Sequence, residues 1–385
     1  MHFFNPWHDL ALANFGANYT PPASAMQMAD DLALLPLWYG KGDAVIADGE
    51  AQQLFLHDLK VMLPLTAELI SYSEIALRTG EPVIPWGWDP RLRKMMLVLG
   101  AEEHLLPSMA ELEQLRCYAS REHAVRILRE LQEDESYFCG ESIYFTRIEN
   151  LQAYLATTPG NKVLKMPLSG SGKGLIWILG EITDKQTDWC RRVLREQGGI
   201  VAEPILNKVQ DFAMEFFLQD GKAHFAGYSL FSSAASGAYT GNQLLADHRI
   251  EEILSDFISS VLLHQLRKRL AVKLTVSFPS YTGYAGVDMM ICRTDEGYRV
   301  QPCVEINMRM NMGMVARSIH DQFMATDGQG RFVVDYFKKS HDAVLFQQKM
   351  QRESPLSVAD GKILSGFLSL TPVTADTRYM AYLEV

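Results

Sequence analysis

The stretch 283–307 reads GYAGVDMMICRTDEGYRVQPCVEIN, two strand-forming runs separated by Thr-Asp-Glu-Gly. That pattern predicts an antiparallel hairpin. A turn centred between Glu296 and Gly297 sets Asp288 opposite Glu305 on one face, with Cβ atoms about 4.5–5.5 Å apart. Asn307 lies two residues on, on that same face. The two carboxylates stand among apolar neighbours (Val287, Met289, Val304, Ile306) and repel each other, which is costly without a cation between them. Hard Mg²⁺, its shell completed by water and phosphate, suits such oxygen ligands. The plain alternative is a pair of solvated carboxylates on an exposed sheet face. Pro302 cannot donate to the ladder and marks an expected edge or bulge, where the register would shift by one.

A second feature is the segment KMPLSGSGKG (165–174), which follows a strand expected at 162–166. Small residues at Ser169, Gly170, Ser171, Gly172 and Gly174 let backbone N–H groups approach phosphate oxygens, and Lys165 and Lys173 supply charge. A P-loop is excluded, because that pattern needs Gly at 167 and Ser or Thr at 174, where Pro and Gly stand. A phosphate-covering hairpin between two strands fits better; a Gly/Ser-rich surface turn is the alternative.

Residues 1–115 alternate short strands (MHFFN, DAVIAD, VIPW) with helical patterns at 23–38, 90–99 and 108–117. This predicts a small parallel α/β domain. Beyond it, Ser120 is an N-cap candidate for a helix running to Gln132, with Arg121 in its first turn. Further helices are expected at 188–197 and 250–270 within strand-rich sequence, another follows the 283–307 hairpin, and GFLSLTPV with TRYMAYLEV predicts a closing hairpin. The division expected is 1–115, 116–200, 201–340 and 341–385.

Composition removes several classes. At 48% hydrophobic and 21% charged, 385 residues can bury a sizeable core. The net charge of −10, with no Lys/Arg-rich block, leaves no electrostatic footprint for nucleic acid. Five scattered cysteines without a C-x-x-C pair argue against a zinc site or disulfide framework and fit reduced thiols in the cytoplasm. No uncharged apolar run reaches about 18 residues, and no secretory leader is evident.

In motif order, residues 116–335 resemble the ATP-grasp superfamily. The resemblance implies an ATP-grasp fold, an α/β (α+β) architecture with two lobes around a nucleotide cleft, here preceded by a small Rossmann-like parallel domain. It implies a phosphate contact from Arg121 and, 44 positions later, a strand lysine, Lys165, on the α/β-phosphates. It places the adenine at VAEPIL (201–206), with Glu203, Ile205 and Leu206, and the ribose at Asp211 or Glu215. It assigns Mg²⁺ or Mn²⁺ to Asp288, Glu305 and Asn307, and sets Arg309 near the transferred phosphate. Arg121 in place of the family's usual early lysine and Met308 in place of a frequent proline are departures.

The activity implied is ATP-dependent ligation of a small carboxylate to an amine (or thiol) through an acylphosphate. A phosphotransferase of the same fold and a catalytically silent nucleotide-binding module are the alternatives. Partners expected are small molecules, with neither nucleic acid nor membrane; monomer and homodimer are both compatible. Specificity is expected from the N-terminal domain and from residues 228–242.

Overall fold

The computed structural model, which describes residues 1–133, 135–170, 174–233 and 239–385, opens with a small parallel sheet. Its strands are β1 (His2–Phe3), β2 (Val45–Ile46), β3 (Leu69–Ile70) and β4 (Ile84–Pro85), in the order β3-β2-β1-β4. Between and after them run α1 (His8–Asn14), α2 (Ala23–Asp31), α3 (Glu50–Met62) and α4 (Pro90–Val98). Phe3, Trp7, Ile46, Ile70, Leu92 and Met96 form the buried centre of this layer. The start of α4 follows directly from its Asp-Pro dipeptide: Asp89 accepts the Leu92 N–H at 2.9 Å and Pro90 occupies the first turn, where its missing donor is harmless. The periodic segment at 23–38 is α-helical only to Asp31 and continues as a 3₁₀ turn at Leu35–Trp38, around Pro36.

The next part runs through α5 (Met109–Tyr118), α6 (Arg121–Gln132), β5 (Ile143–Phe145), α7 (Ile148–Thr157), β6 (Lys162–Lys165), β7 (Leu175–Ile178), α8 (Asp184–Gln197) and β8 (Ile200–Pro204). Ser120 caps α6, its Oγ accepting the Glu122 N–H at 3.3 Å. The strands form an antiparallel sheet, β5-β8-β6-β7, whose core joins Leu151, Leu164, Cys190, Val193 and Ile200. The expected helix at 188–197 begins earlier, at Asp184, because Thr183 and Gln186 form a reciprocal capping box.

Then follow β9 (Lys208–Gln219), β10 (Lys222–Ser233), β11 (Tyr239–Leu244), α9 (Asp247–Ser255), α10 (Ser260–Ser277), β12 (Gly283–Thr294) and β13 (Gly297–Asn307). The single helix expected at 250–270 is two helices. Ser259 caps the second, accepting the Leu262 N–H at 3.2 Å, so the chain restarts there although the apolar pattern runs on. Strands β10, β9, β12 and β13 pair antiparallel in that order, with α6 packed on β13 and α10 on β10.

The remaining elements are α11 (Met312–Phe323), β14 (Gly330–Tyr336), α12 (Asp342–Glu353), β15 (Ser357–Ala359), β16 (Lys362–Ser365), β17 (Phe367–Ser369) and β18 (Tyr379–Glu384). Strands β11, β14, β18 and β17 pair antiparallel in that order. Two compact units result: residues 1–113, 240–249 and 309–385 in one, and residues 114–239 and 250–308 in the other. Residues 309–340 and 341–385 fall in one unit, joined by the pairing of β14 with β18, and residues 1–113 fall in that unit too. No helix among the described residues is long and apolar enough to cross a membrane.

Candidate nucleotide and metal site

Asp288 and Glu305 are cross-strand partners. The route to that pairing differs from the expectation. Thr294 pairs with Gly297, so the turn is centred between Asp295 and Glu296, and Met290 pairs with Gln301. Between Met290 and Asp288 lies one residue of β12, while three residues of β13 lie between Gln301 and Glu305. The irregularity falls at Pro302, which has no N–H to give, and the Cys303 N–H is taken by the Gln301 side chain at 2.8 Å. The shift is two residues rather than one, so alternation is preserved and the two acids share a face.

Across the neighbouring strand, Asn307 lies opposite Gly286, and Gly286 lies opposite Glu215 of β9, which in turn faces Gly227 of β10. Glu215 is thus flanked on both adjacent strands by residues without side chains, and it is 2% exposed. Asp211, four residues earlier, shares this face, opposite Met290. Asn307 Nδ2 donates to Asp288 Oδ2 at 3.0 Å. Glu305 Oε1 accepts from Arg121 Nη2 at 2.5 Å.

Arg121 ties three parts together. Its Nη1 donates to the Met166 carbonyl at 2.7 Å and to Ser169 Oγ at 2.8 Å, and Nη2 also reaches the Ser169 carbonyl at 3.4 Å. The buried guanidinium therefore joins the end of β6, the start of the glycine-rich segment and the carboxylate of β13; its Nε has no partner among the described residues. At the far stem of that segment, Met166 N–H donates to the Gly174 carbonyl at 2.9 Å. Gly174 has φ 78°, and a Cβ there would stand 2.7 Å from Ser169 Cβ, so only glycine fits. Ser171, Gly172 and Lys173 lie outside the described residues.

Lys165 and Glu203 pair with each other: Nζ to Oε2 is 2.7 Å, with both side chains 8% exposed. The remaining oxygen of Glu203 accepts from Ser142 Oγ at 3.0 Å, a partner that no motif indicated. Cys303 lies within electrostatic range of this pair and of Asp288: its thiol is pushed up by burial first, and then by the charges of Glu203 and Asp288. Ile205 and Leu206 follow Glu203 at the end of β8, and Ile205 is partly exposed. Asp211 is held by Lys208 Nζ at 2.5 Å and by Ser233 Oγ at 2.5 Å.

Arg309 belongs to the other unit and is committed there. Its Nε and Nη2 form a two-pronged bridge to Asp9, at 2.8 Å each for the shorter contacts, and Nη1 donates to the Met310 carbonyl. Arg317 pairs with Asp247 and Asp321, and His320 is buried beside Asp321.

Among the described residues no three His, Cys, Asp or Glu side chains form a metal cage. The donor set on β12 and β13 is instead two carboxylates and one amide, all oxygen-bearing. That set fits an open Mg²⁺ or Mn²⁺ site, which takes a few protein oxygens and leaves the other positions to water and phosphate. For Asn307 to ligate, its amide must turn from the orientation that donates to Asp288.

No family model and no curated protein sequence matches the chain. Solved structures do. A biotin carboxylase–βγ-ATP complex from Campylobacter jejuni superposes with a TM-score of 0.53 at 11% identity, covering 100% of this chain and 86% of that one. An N5-carboxyaminoimidazole synthetase from Staphylococcus aureus gives 0.51 at 12% identity, with 93% and 90% covered. An ADP complex of an N5-carboxyaminoimidazole ribonucleotide synthetase gives 0.51 at 12% identity, with 100% and 90% covered. At such identities the fold is what is shared. The chain has the ATP-grasp fold, an α/β architecture that includes the small parallel sheet at its N-terminal end.

Proposed function

We propose that this protein is a Mg·ATP-dependent ligase that activates a small carboxylate and joins it to an amine. The observation that carries the reading is the shared face of Asp288, Glu305 and Asn307, tied through Arg121 to the glycine-rich segment. In support stand the ATP-grasp fold and the fact that two of the structures sharing it are complexes, one with ADP and one with βγ-ATP.

In this reading Glu203, Ile205 and Leu206 line the adenine, and Asp211 or Glu215 holds the ribose. Ser169 to Gly174 covers the phosphates, with Arg121, Lys165 and Lys173 as cationic donors. Asp288, Glu305 and Asn307 hold Mg²⁺ or Mn²⁺, which when bound neutralises charge on the β- and γ-phosphate oxygens. Lys165 stabilises the equatorial oxygens of the transferred phosphoryl group by exchanging Glu203 for phosphate; Arg309 would join it only by exchanging Asp9. A substrate carboxylate oxygen attacks the γ-phosphorus and ADP leaves. The amine nitrogen then attacks the acyl carbon, phosphate departs, and the nitrogen loses its proton to solvent. Exclusion of water from the site protects the acylphosphate.

The test is ADP release with Mg²⁺ against pooled amino acids and small carboxylates, with product analysis. A new amide plus free phosphate supports the ligase; a phosphorylated product makes the enzyme a kinase; no nucleotide binding at all removes the site. Asp288→Asn is expected to abolish Mg-dependent turnover in a folded protein, and full activity in that variant refutes the metal assignment.

A further inference from the structure

The parallel sheet carries a cavity of about 510 Å³ that the nucleotide site does not use, within the roughly 300–1,000 Å³ of small-molecule pockets. Its position follows from topology. Phe3 and Phe4 stand at the carboxyl end of β1, Ile46 and Asp48 at that of β2, and Tyr72 just past β3. Open parallel sheets bind ligands in the crevice at these strand ends. Helices α2 and α4 wall it with Asp30 and Arg91.

The lining is divided by chemistry. Phe3, Phe4, Trp7 and Ile46 make a buried apolar floor. Asp30 and Asp48 are exposed, at the mouth. Tyr72 feels both: its hydroxyl pKa is raised by burial first, then by the charges of Asp30 and Asp48, which brings the two acids around one ring. Asp48 accepts the Tyr72 N–H at 3.3 Å, while the Asp30 carboxylate has no hydrogen bond or ion pair among the described residues. Arg91 stacks on Trp7, its guanidinium carbon 4.8 Å from the ring centroid, fixed by Nε donating to the Tyr19 carbonyl at 3.0 Å. Nη1 has no partner among the described residues.

We propose that this crevice binds a small zwitterion with an apolar side chain, an α-amino acid bearing a hydrocarbon or aromatic group. The ammonium goes to Asp30 and Asp48, the carboxylate to Arg91, and the side chain to the aromatic floor. Two acids alone would favour a simple amine, and the fixed arginine beside them is what selects a molecule carrying both charges. The claim does not depend on the ligase reading, because binding here requires no nucleotide.

The test is calorimetric titration of the full chain, without nucleotide, with L-phenylalanine, L-leucine, N-acetyl-L-phenylalanine and L-phenylalanine amide. Expected is saturable binding of the free amino acids, weakened about tenfold or more by acetylation, by amidation and by Asp30→Asn, as befits loss of a charged hydrogen bond. Asp30→Asn removes no bond from the folded protein, so its stability should be unchanged in a melting control. Absence of binding at about 10 mM free amino acid, or equal binding of the acetylated or amidated forms, overturns the proposal. Neither outcome bears on Mg-dependent ADP release, which tests the ligase reading separately.

Discussion

Arg121 Nη2 stands 2.5 Å from Glu305 Oε1, the guanidinium buried and the carboxylate partly exposed. A buried cation thus already neutralises one of the two acids proposed to hold Mg²⁺. Glu305→Gln keeps an oxygen for Arg121 but removes the charge a divalent ion needs. Arg121 keeps its bonds to the Met166 carbonyl and Ser169 but loses its counter-charge, so Glu305→Gln should lose some stability, less than Arg121→Ala, while Mg-dependent ADP release falls about 100-fold or more. Arg121→Ala strands Glu305 and frees Ser169, and should lower stability by about 3–5 kcal/mol. Urea titration of both variants checks the contrast. Equal destabilisation would make the pair purely structural.

Lys165 and Glu203 give a second separable case. Removing either partner leaves the other charged and buried, so Lys165→Ala should cost about 3–5 kcal/mol in unfolding free energy. The double variant Lys165→Met/Glu203→Gln removes both charges and should recover most of that loss. Nucleotide affinity should stay weak in both, measured by fluorescence titration with an ATP analogue. Restored affinity in the double variant would show that Lys165 serves the fold and not the phosphates.

Acid stability should reveal two opposed groups at helix starts beside the N-terminal sheet, His8 opening α1 and Asp89 capping α4. His8 is pushed down to about 4, chiefly by burial, with Asp9 raising it and Arg309 lowering it. Asp89 is pushed up to about 6 by burial, against hydrogen bonds from Leu92 and Asn5. Below about pH 6.5 the unfolded chain protonates His8 while the folded one does not, so this stabilisation is lost as pH falls from about 6.5 to 4. Asp89 runs the other way: the folded chain takes its proton near 6, the unfolded one only near about 3.9, so folding gains over that interval. Each effect is on the order of 3 kcal/mol, and between pH 6 and 4 they largely cancel. Relative to the native protein, His8→Gln should gain stability from pH 7.5 to 5, and Asp89→Asn should lose it. Melting temperatures at both values decide; shifts of the same sign refute the pairing.

The parallel sheet is legible in the sequence from the succession of short strands and helices, and the shared face of Asp288 and Glu305 from strand parity, which a two-residue shift preserves. The route to that facing is not. Which residues take the turn depends on closure by Thr294 Oγ1, which donates to the Gly297 carbonyl, and the two-residue irregularity at Pro302 compensates for the displaced turn. The break between α9 and α10 is hidden because apolar periodicity continues across it, and only Ser259 signals the restart. Lys165–Glu203 and Asp9–Arg309 lie beyond any local pattern: the second pair is separated by 300 residues. Tertiary packing brings such partners together, and a lone sequence carries no period for it.

The three residues of β13 facing Met289 have a consequence for how this region can vary. Replacing Val304 alters only packing, but deleting any one of the three would rotate everything downstream by half a pleat and turn Glu305 and Asn307 to the opposite side. Chain length between Gln301 and Glu305 is therefore under strict constraint, and insertions or deletions there should silence the protein and also cost stability, because buried Ile306 turns with the site residues.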